Sequence, residues 1–191
     1  QSVSTGPSAD YLVPNNSLQD YVFQTDPTTS SYFTIPSITI SPTATISIWV
    51  NTQLFTSSNA QVFFGGPSSS RISINDEGTK VRVVYASNSG FGLKTTNLLA
   101  ADFTNKWHHI ALVQNNGPGT LYIDGVNEGA LGGGLLTPTY TNIAAISTGQ
   151  FINDGLISNA ALFNTPLPAT GTESIASLYN NGNPPLDISS Y

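Results

Sequence analysis

At 191 residues the chain has the size of one domain, and a domain that long buries roughly 70% of its unfolded surface, enough for a core without covalent staples. Only 8% of the residues are charged, and five basic side chains (Arg71, Lys80, Arg82, Lys94, Lys106) in a chain of net charge −6 disfavour nucleic acid or anionic lipid as a partner. No apolar run approaches the ~18 residues of a membrane span, no cysteine is present for a disulfide or thiolate metal site, and two Trp, eight Tyr and nine Phe argue against disorder.

The chain starts at Gln1 and contains no methionine, so it is expected to be a processed product or a piece of something longer. Residues 1–18 are polar, with Pro7 and Pro14, and read as an arm or linker ahead of a domain spanning 19–191. Short Val/Ile/Thr/Tyr/Phe-rich runs then follow at 31–36, 44–51, 60–66, 70–75, 79–87, 106–114, 120–125, 143–149 and 155–163. Gly-, Asn-, Ser- and Pro-rich turns separate them and leave no room for crossover helices. The expectation is an all-β, two-sheet antiparallel sandwich.

Alternation places Ala44, Ile46, Ile48 and Val50 on one face of their strand and Trp49 on the other. The run 106–114 is apolar in both phases, Ile110 and Leu112 against Trp107, Ala111 and Val113. Such strands are central and covered on both sides, one cover being the sandwich interior and the other loops, a helix or a partner. Asp124-Gly125 marks a hairpin, since both central positions of a type I′ turn need positive φ. Near the end Thr170 and Glu173 have capping-box spacing, Ile175, Leu178 and Tyr179 recur with helical period, and Gly182 with Pro184-Pro185 ends a single short C-terminal helix.

Three segments resemble a known family. The stretch from Trp107 to Gly129, WHHIALVQNNGPGTLYIDGVNEG, is similar to the signature hairpin of laminin-G-like jelly rolls of the concanavalin A-like lectin/glucanase superfamily. ATISIWVN resembles the early Trp-bearing strand of that family, and 147–184 its C-terminal block, so that the resemblance runs from about Tyr32 to Pro185. It implies a jelly roll that binds carbohydrate or protein, many members holding a structural Ca²⁺ at one rim. The acidic pair many relatives carry in that block is replaced here by Ser158-Asn159, and Asp26, Asp76, Asp102, Asp154 and Asp187 are scattered. No cofactor is therefore expected, with structural calcium as the alternative left open by the resemblance.

Catalytic constellations are missing at the level of spacing. Glycoside hydrolysis needs two carboxyl groups ~5–10 Å apart, and none of the three glutamates, Glu77, Glu128 and Glu173, has an acid two residues away on a strand. His108 and His109 point to opposite faces and cannot grip one ion together. The LGGG stretch at Leu131 to Gly134 lacks the lysine and helix of a phosphate loop and reads as a strand connection. Trp49 and Trp107 lie in the best-matched strands and are read as core. Loop aromatics are the candidates for stacking on sugar: Tyr85 and Phe91 around SNSG, Tyr140, and Phe151, with Asn88, Asn153 and Asp154 as hydrogen-bonding neighbours.

The expected function is a non-catalytic carbohydrate-binding or adhesion module whose partner is a glycan or cell-surface polysaccharide. A Ser/Thr/Asn-rich surface is shared with secreted adhesins and virion proteins, so an extracellular or virion-surface location is expected. The alternative is a virion decoration, fibre or surface-layer protein that binds no sugar and contacts neighbouring chains through residues 1–18.

Overall fold

A computed structural model describes residues 12–13, 22–26, 28, 31–53, 60–146 and 153–183. It is a sandwich of two sheets in which every pairing is antiparallel. Among the described residues thirteen strands occur in chain order: β1 Leu12–Val13, β2 Val22–Thr25, β3 Phe33–Thr39, β4 Thr43–Thr52, β5 Gln61–Gly65, β6 Arg71–Glu77, β7 Lys80–Ser87, β8 Gly90–Leu99, β9 Trp107–Asn115, β10 Thr120–Ile123, β11 Val126–Ala130, β12 Thr139–Ile143 and β13 Gly155–Phe163. A seven-stranded sheet has the order β1-β2-β13-β4-β9-β10-β11 and a six-stranded sheet the order β3-β12-β5-β6-β7-β8. A one-turn helix α1, Ala100–Phe103, follows β8, and α2, Ile175–Tyr179, closes the fold. Among the described residues no helix is long and apolar enough to cross a membrane.

Period-2 alternation builds the core. Ile46, Ile48 and Val50 of β4 and Ile110 and Leu112 of β9 face Phe63, Phe64, Ile72, Ile74, Val81, Val83 and Tyr85 of the other sheet. The strands β4 and β9 run in long register, Ile46 opposite Leu112, Ile48 opposite Ile110, Trp49 opposite His109. Their second face is also covered. Ala111 packs with Leu167, Ile175 and Leu178, forming a smaller cluster beneath the segment that carries α2. Trp49 Nε1 donates to the Leu178 carbonyl at 3.3 Å, its ring stacks on Tyr179 at 5.8 Å, and the backbone N–H of Leu167 donates to Thr45 Oγ1 at 2.9 Å. The cover left open by the sequence is thus a segment of the chain itself. Trp107, read as core, is only half-buried.

The elements that differ from the sequence reading are β2, which none of the runs covered, β8, α1, β12 and the start of α2. The strand β8 and helix α1 carry no turn-bounded apolar run, because β8 alternates exposed and part-buried residues at a sheet edge. Of the strand expected at 143–149, only Ile143 is in a strand among the described residues, as the end of Thr139–Ile143, where alternation buries Tyr140 and Asn142; 147–149 lie outside the described residues. The helix cap is Ser174, not Thr170: Ser174 Oγ accepts from the Ser177 N–H at 3.2 Å while Ser177 Oγ accepts from the Ser174 N–H at 2.9 Å. Beginning there buries Ile175 and Leu178 against the sheet, and Asn180 in the left-handed region (φ 44°) stops the helix before Gly182. Asp124 and Gly125, at φ 52° and 75°, form the expected hairpin turn. Within the arm expected at 1–18, Leu12 and Val13 pair with Phe23 and Val22; the rest of that arm, Pro184 and Pro185 lie outside the described residues.

Replacing Ser174 with Ala should lower stability by about 1 kcal/mol in urea unfolding, as for other lost N-caps, while Thr170→Ala should change it by no more than a few tenths. Equal effects would return the cap to Thr170.

Candidate functional site

The outer face of the six-stranded sheet has a different character from that of its partner. In β6 the core residues Ile72 and Ile74 alternate with Arg71, Ser73, Asn75 and Glu77, which turn away from the core. Register extends these into rows across the sheet: Arg71–Ala86–Phe91, Ser73–Val84–Leu93 and Asn75–Arg82–Thr95. The third row is tied by charge. Arg82 Nη1 meets Glu77 Oε1 at 2.8 Å, Arg82 Nε donates to Asn75 Oδ1 at 3.1 Å, and the Thr95 hydroxyl donates to Glu77 Oε2.

The first row ends on Phe91, 63% exposed, the most exposed of the large hydrophobic side chains described. Ala86 gives it a low floor. Across that floor stands Arg71, whose Nη1 donates to the Ser69 carbonyl at 3.3 Å and which has no carboxylate in ion-pair reach among the described residues. Partial burial lowers its pKa from the ordinary arginine value. In the second row Ser73 Oγ is buried with no hydrogen-bond partner.

The structure separates the residues singled out from sequence. Phe91 and Asn88 are exposed beside the β7–β8 turn. Tyr85 is no loop residue: it is 1% exposed within β7, its hydroxyl donating to the Leu136 carbonyl at 3.3 Å. Tyr140 is wholly buried against Phe64, with ring centroids 5.4 Å apart. Burial pushes both phenol pKa values up. Neither ring has a free face for a sugar, because alternation sends both inward.

Asn153 is a buried clamp, its Nδ2 donating to Thr25 Oγ1 at 2.8 Å and its Oδ1 accepting from Thr52 Oγ1 at 3.3 Å. The Asp154 N–H donates to Gln61 Oε1 at 2.6 Å. Gln61 opens β5, about 13 Å along the strand from Gly65 in the Phe91 row. Asn153 and Asp154 therefore belong to the opposite end of the sheet from Phe91. Phe151 lies outside the described residues. Sequence reasoning missed Arg71, Asn75 and Arg82; the polar phase of SRISIN was the available signal, but nothing in it says which sheet face stays open.

Calcium takes six to eight oxygens, carboxylates among them. Burial and then the nearby Asp26 raise the pKa of Asp154. Yet Asp26 Oδ1 already accepts from the Thr28 N–H and hydroxyl, both at 2.7 Å, and Gln61 Oε1 is occupied by Asp154. Among the described residues no group of three or more His, Cys, Asp and Glu converges.

The histidines serve packing. His108 Nδ1 lies 2.7 Å from Asp124 Oδ2 and its ring stacks on Phe103 at 4.2 Å, while Asp124 Oδ1 accepts the His109 N–H at 2.8 Å. His109 Nε2 sits 2.9 Å from Ser47 Oγ, a spacing that suits a nucleophile and its base. Both are buried beneath Trp49 and Tyr179, and His109 Nδ1 has no partner to orient or charge the ring. Burial, opposed in part by Asp124, lowers the His109 pKa to about 4.

The profile of the concanavalin A-like lectin/glucanases superfamily matches residues 27–171, and the chain belongs to that family. No curated protein sequence matches it. Among solved structures it is similar to domain 4 of AbnA, an extracellular arabinanase of Geobacillus stearothermophilus in complex with arabinotriose (19% identity, 78% of this chain and 72% of that one, TM-score 0.56). It is also similar to a heptameric SAP-like pentraxin of Limulus polyphemus (13%, 76% and 72%, 0.55). A third is the ligand binding domain of botulinum neurotoxin serotype D in complex with N-acetylneuraminic acid (16%, 80% and 42%, 0.51). At these identities the likeness is one of fold.

The His109 shift has a measurable sign. A folded pKa of about 4 against 6.5 unfolded means that the unfolded chain binds the extra proton. The stability tied to a neutral His109 is complete above about pH 6.5 and is lost as pH falls towards 4. Between pH 7 and 4.5 the wild type should lose roughly 2 kcal/mol more than His109→Gln in urea titrations; parallel pH profiles would show that this imidazole is not the group being titrated.

Proposed function

We propose that the chain is a non-catalytic carbohydrate-binding module, displayed outside the cell or on a virion, that lays a saccharide on the outer face of its six-stranded sheet. The observation that carries this reading is Phe91, an exposed phenyl ring in one row with Arg71. An aromatic face excludes water from the C–H face of a sugar, while the Arg71 guanidinium in the same row offers N–H donors to its polar groups. The arabinotriose and N-acetylneuraminic acid complexes of similarly folded domains support the same reading.

A binding role agrees with the chemistry of this face. In β6 to β8, Glu77 is the one carboxylate that alternation turns outward, and Arg82 and Thr95 already hold it. Hydrolysis would ask for a second carboxyl group about 5–10 Å away.

Calorimetry on the saccharides selected by a glycan array tests the proposal. Phe91→Ala should weaken binding by roughly tenfold or more, as for a central aromatic contact, with an unchanged melting temperature because the ring is exposed. Failure to bind any glycan, or undiminished binding by Phe91→Ala, would refute it. If Phe91→Ala instead dissolved an oligomer of the wild type in sedimentation, the ring would be a subunit contact and the surface-assembly reading would replace this one.

A further inference from the structure

Three of the five basic residues, Arg71, Lys80 and Arg82, alternate onto the outer face of the six-stranded sheet, where they share one outward carboxylate, Glu77. A chain of net charge −6 has thereby made one face cationic. Glu77 is taken by Arg82, and Lys80 stands directly opposite it in register. Arg71 is left with a backbone carbonyl as its protein partner among the described residues.

Its position gives that guanidinium a use. Arg71 and Phe91 are two strands apart on either side of Ala86, a spacing of about 10 Å between backbones. Ala86 between them is only 5% exposed. The exposed phenyl ring and the half-buried arginine thus belong to one row of one sheet face. A planar fork of N–H donors in a partly desolvated position favours a carboxylate, which it can hold through two parallel hydrogen bonds. Neutral sugars offer nothing that uses the charge.

We infer that the ligand of this face is a carboxylated saccharide, a uronate or sialate, with its ring against Phe91 and its carboxylate on Arg71. This rests on the carbohydrate-binding reading above and names the class of sugar. A carboxylate anchored in this way sits at the Gly65 end of the sheet, about 13 Å along β6 from the Asn75–Arg82–Thr95 row.

The test is an array of neutral, uronate, sialylated and sulfated glycans, followed by calorimetry on a uronate oligosaccharide and its carboxyl-reduced counterpart. The wild type should prefer the carboxylated probe by about tenfold and lose that preference as sodium chloride is raised. Arg71→Gln should bring the two probes level, Arg71→Lys should keep part of the preference, and Phe91→Ala should weaken both probes. Binding confined to neutral or sulfated glycans, or a preference that survives Arg71→Gln, would overturn the inference and leave the carbohydrate reading intact. A blank array would overturn both. Melting temperatures of the Arg71 variants within a degree or two of the wild type would separate a lost contact from a lost fold.

Discussion

Every residue of β4 from Ala44 to Val50 is buried, and a strand buried on both faces needs two covers. One is the opposite sheet. The other is the chain's own C-terminal segment, brought back over Trp49, Ser47, His109 and Ala111 and held by the Trp49–Leu178 and Thr45–Leu167 hydrogen bonds. Removing that layer would expose an indole and leave an unpartnered imidazole nitrogen facing water. The short α2 is therefore a structural lid, and its length is set by the patch it covers.

The two outer faces differ in what they hold. That of the seven-stranded sheet is occupied by protein across β4 and β9, whereas on that of the six-stranded sheet Val62, Ser73, Val84 and Ala86 are buried and Phe91 is exposed. The opposite end, around Asn153, is committed to joining β2, β4 and β13 through Thr25 and Thr52. Its amide groups satisfy each other and have little left to offer a sugar.

Much of the sandwich was legible because its signals are local. Alternation in ATISIWV, both phases of WHHIALVQ and the Asp124-Gly125 turn each specify backbone shape within a few residues. The elements missed, β2, β8 and α1, are stabilised from outside: β2 by its ladder to β13, β8 by its ladder to β7 and α1 by the burial of Phe103. The site was less legible for the same reason. Tyr85 and Phe91 look alike in a string, six residues apart around a turn, yet register sends Tyr85 to the core and Phe91 to solvent. Even and odd positions across a hairpin can be counted from sequence only once the turn is known to the residue, and SNSG allowed more than one register.

Charge adds a constraint that composition hid. With so few ionic groups, most of this surface is neutral hydroxyl and amide, which screens little and steers little. A single cationic face then stands out against a net negative molecule, and its field acts at the distance of a Debye length, ~8 Å at physiological salt. Had Arg71 been given a carboxylate neighbour, as Arg82 was given Glu77, the face would be neutral and the phenyl ring its only feature. Glu77 balances Arg82, and Arg71, four residues from Asn75 along β6, keeps a charge that no carboxylate among the described residues offsets.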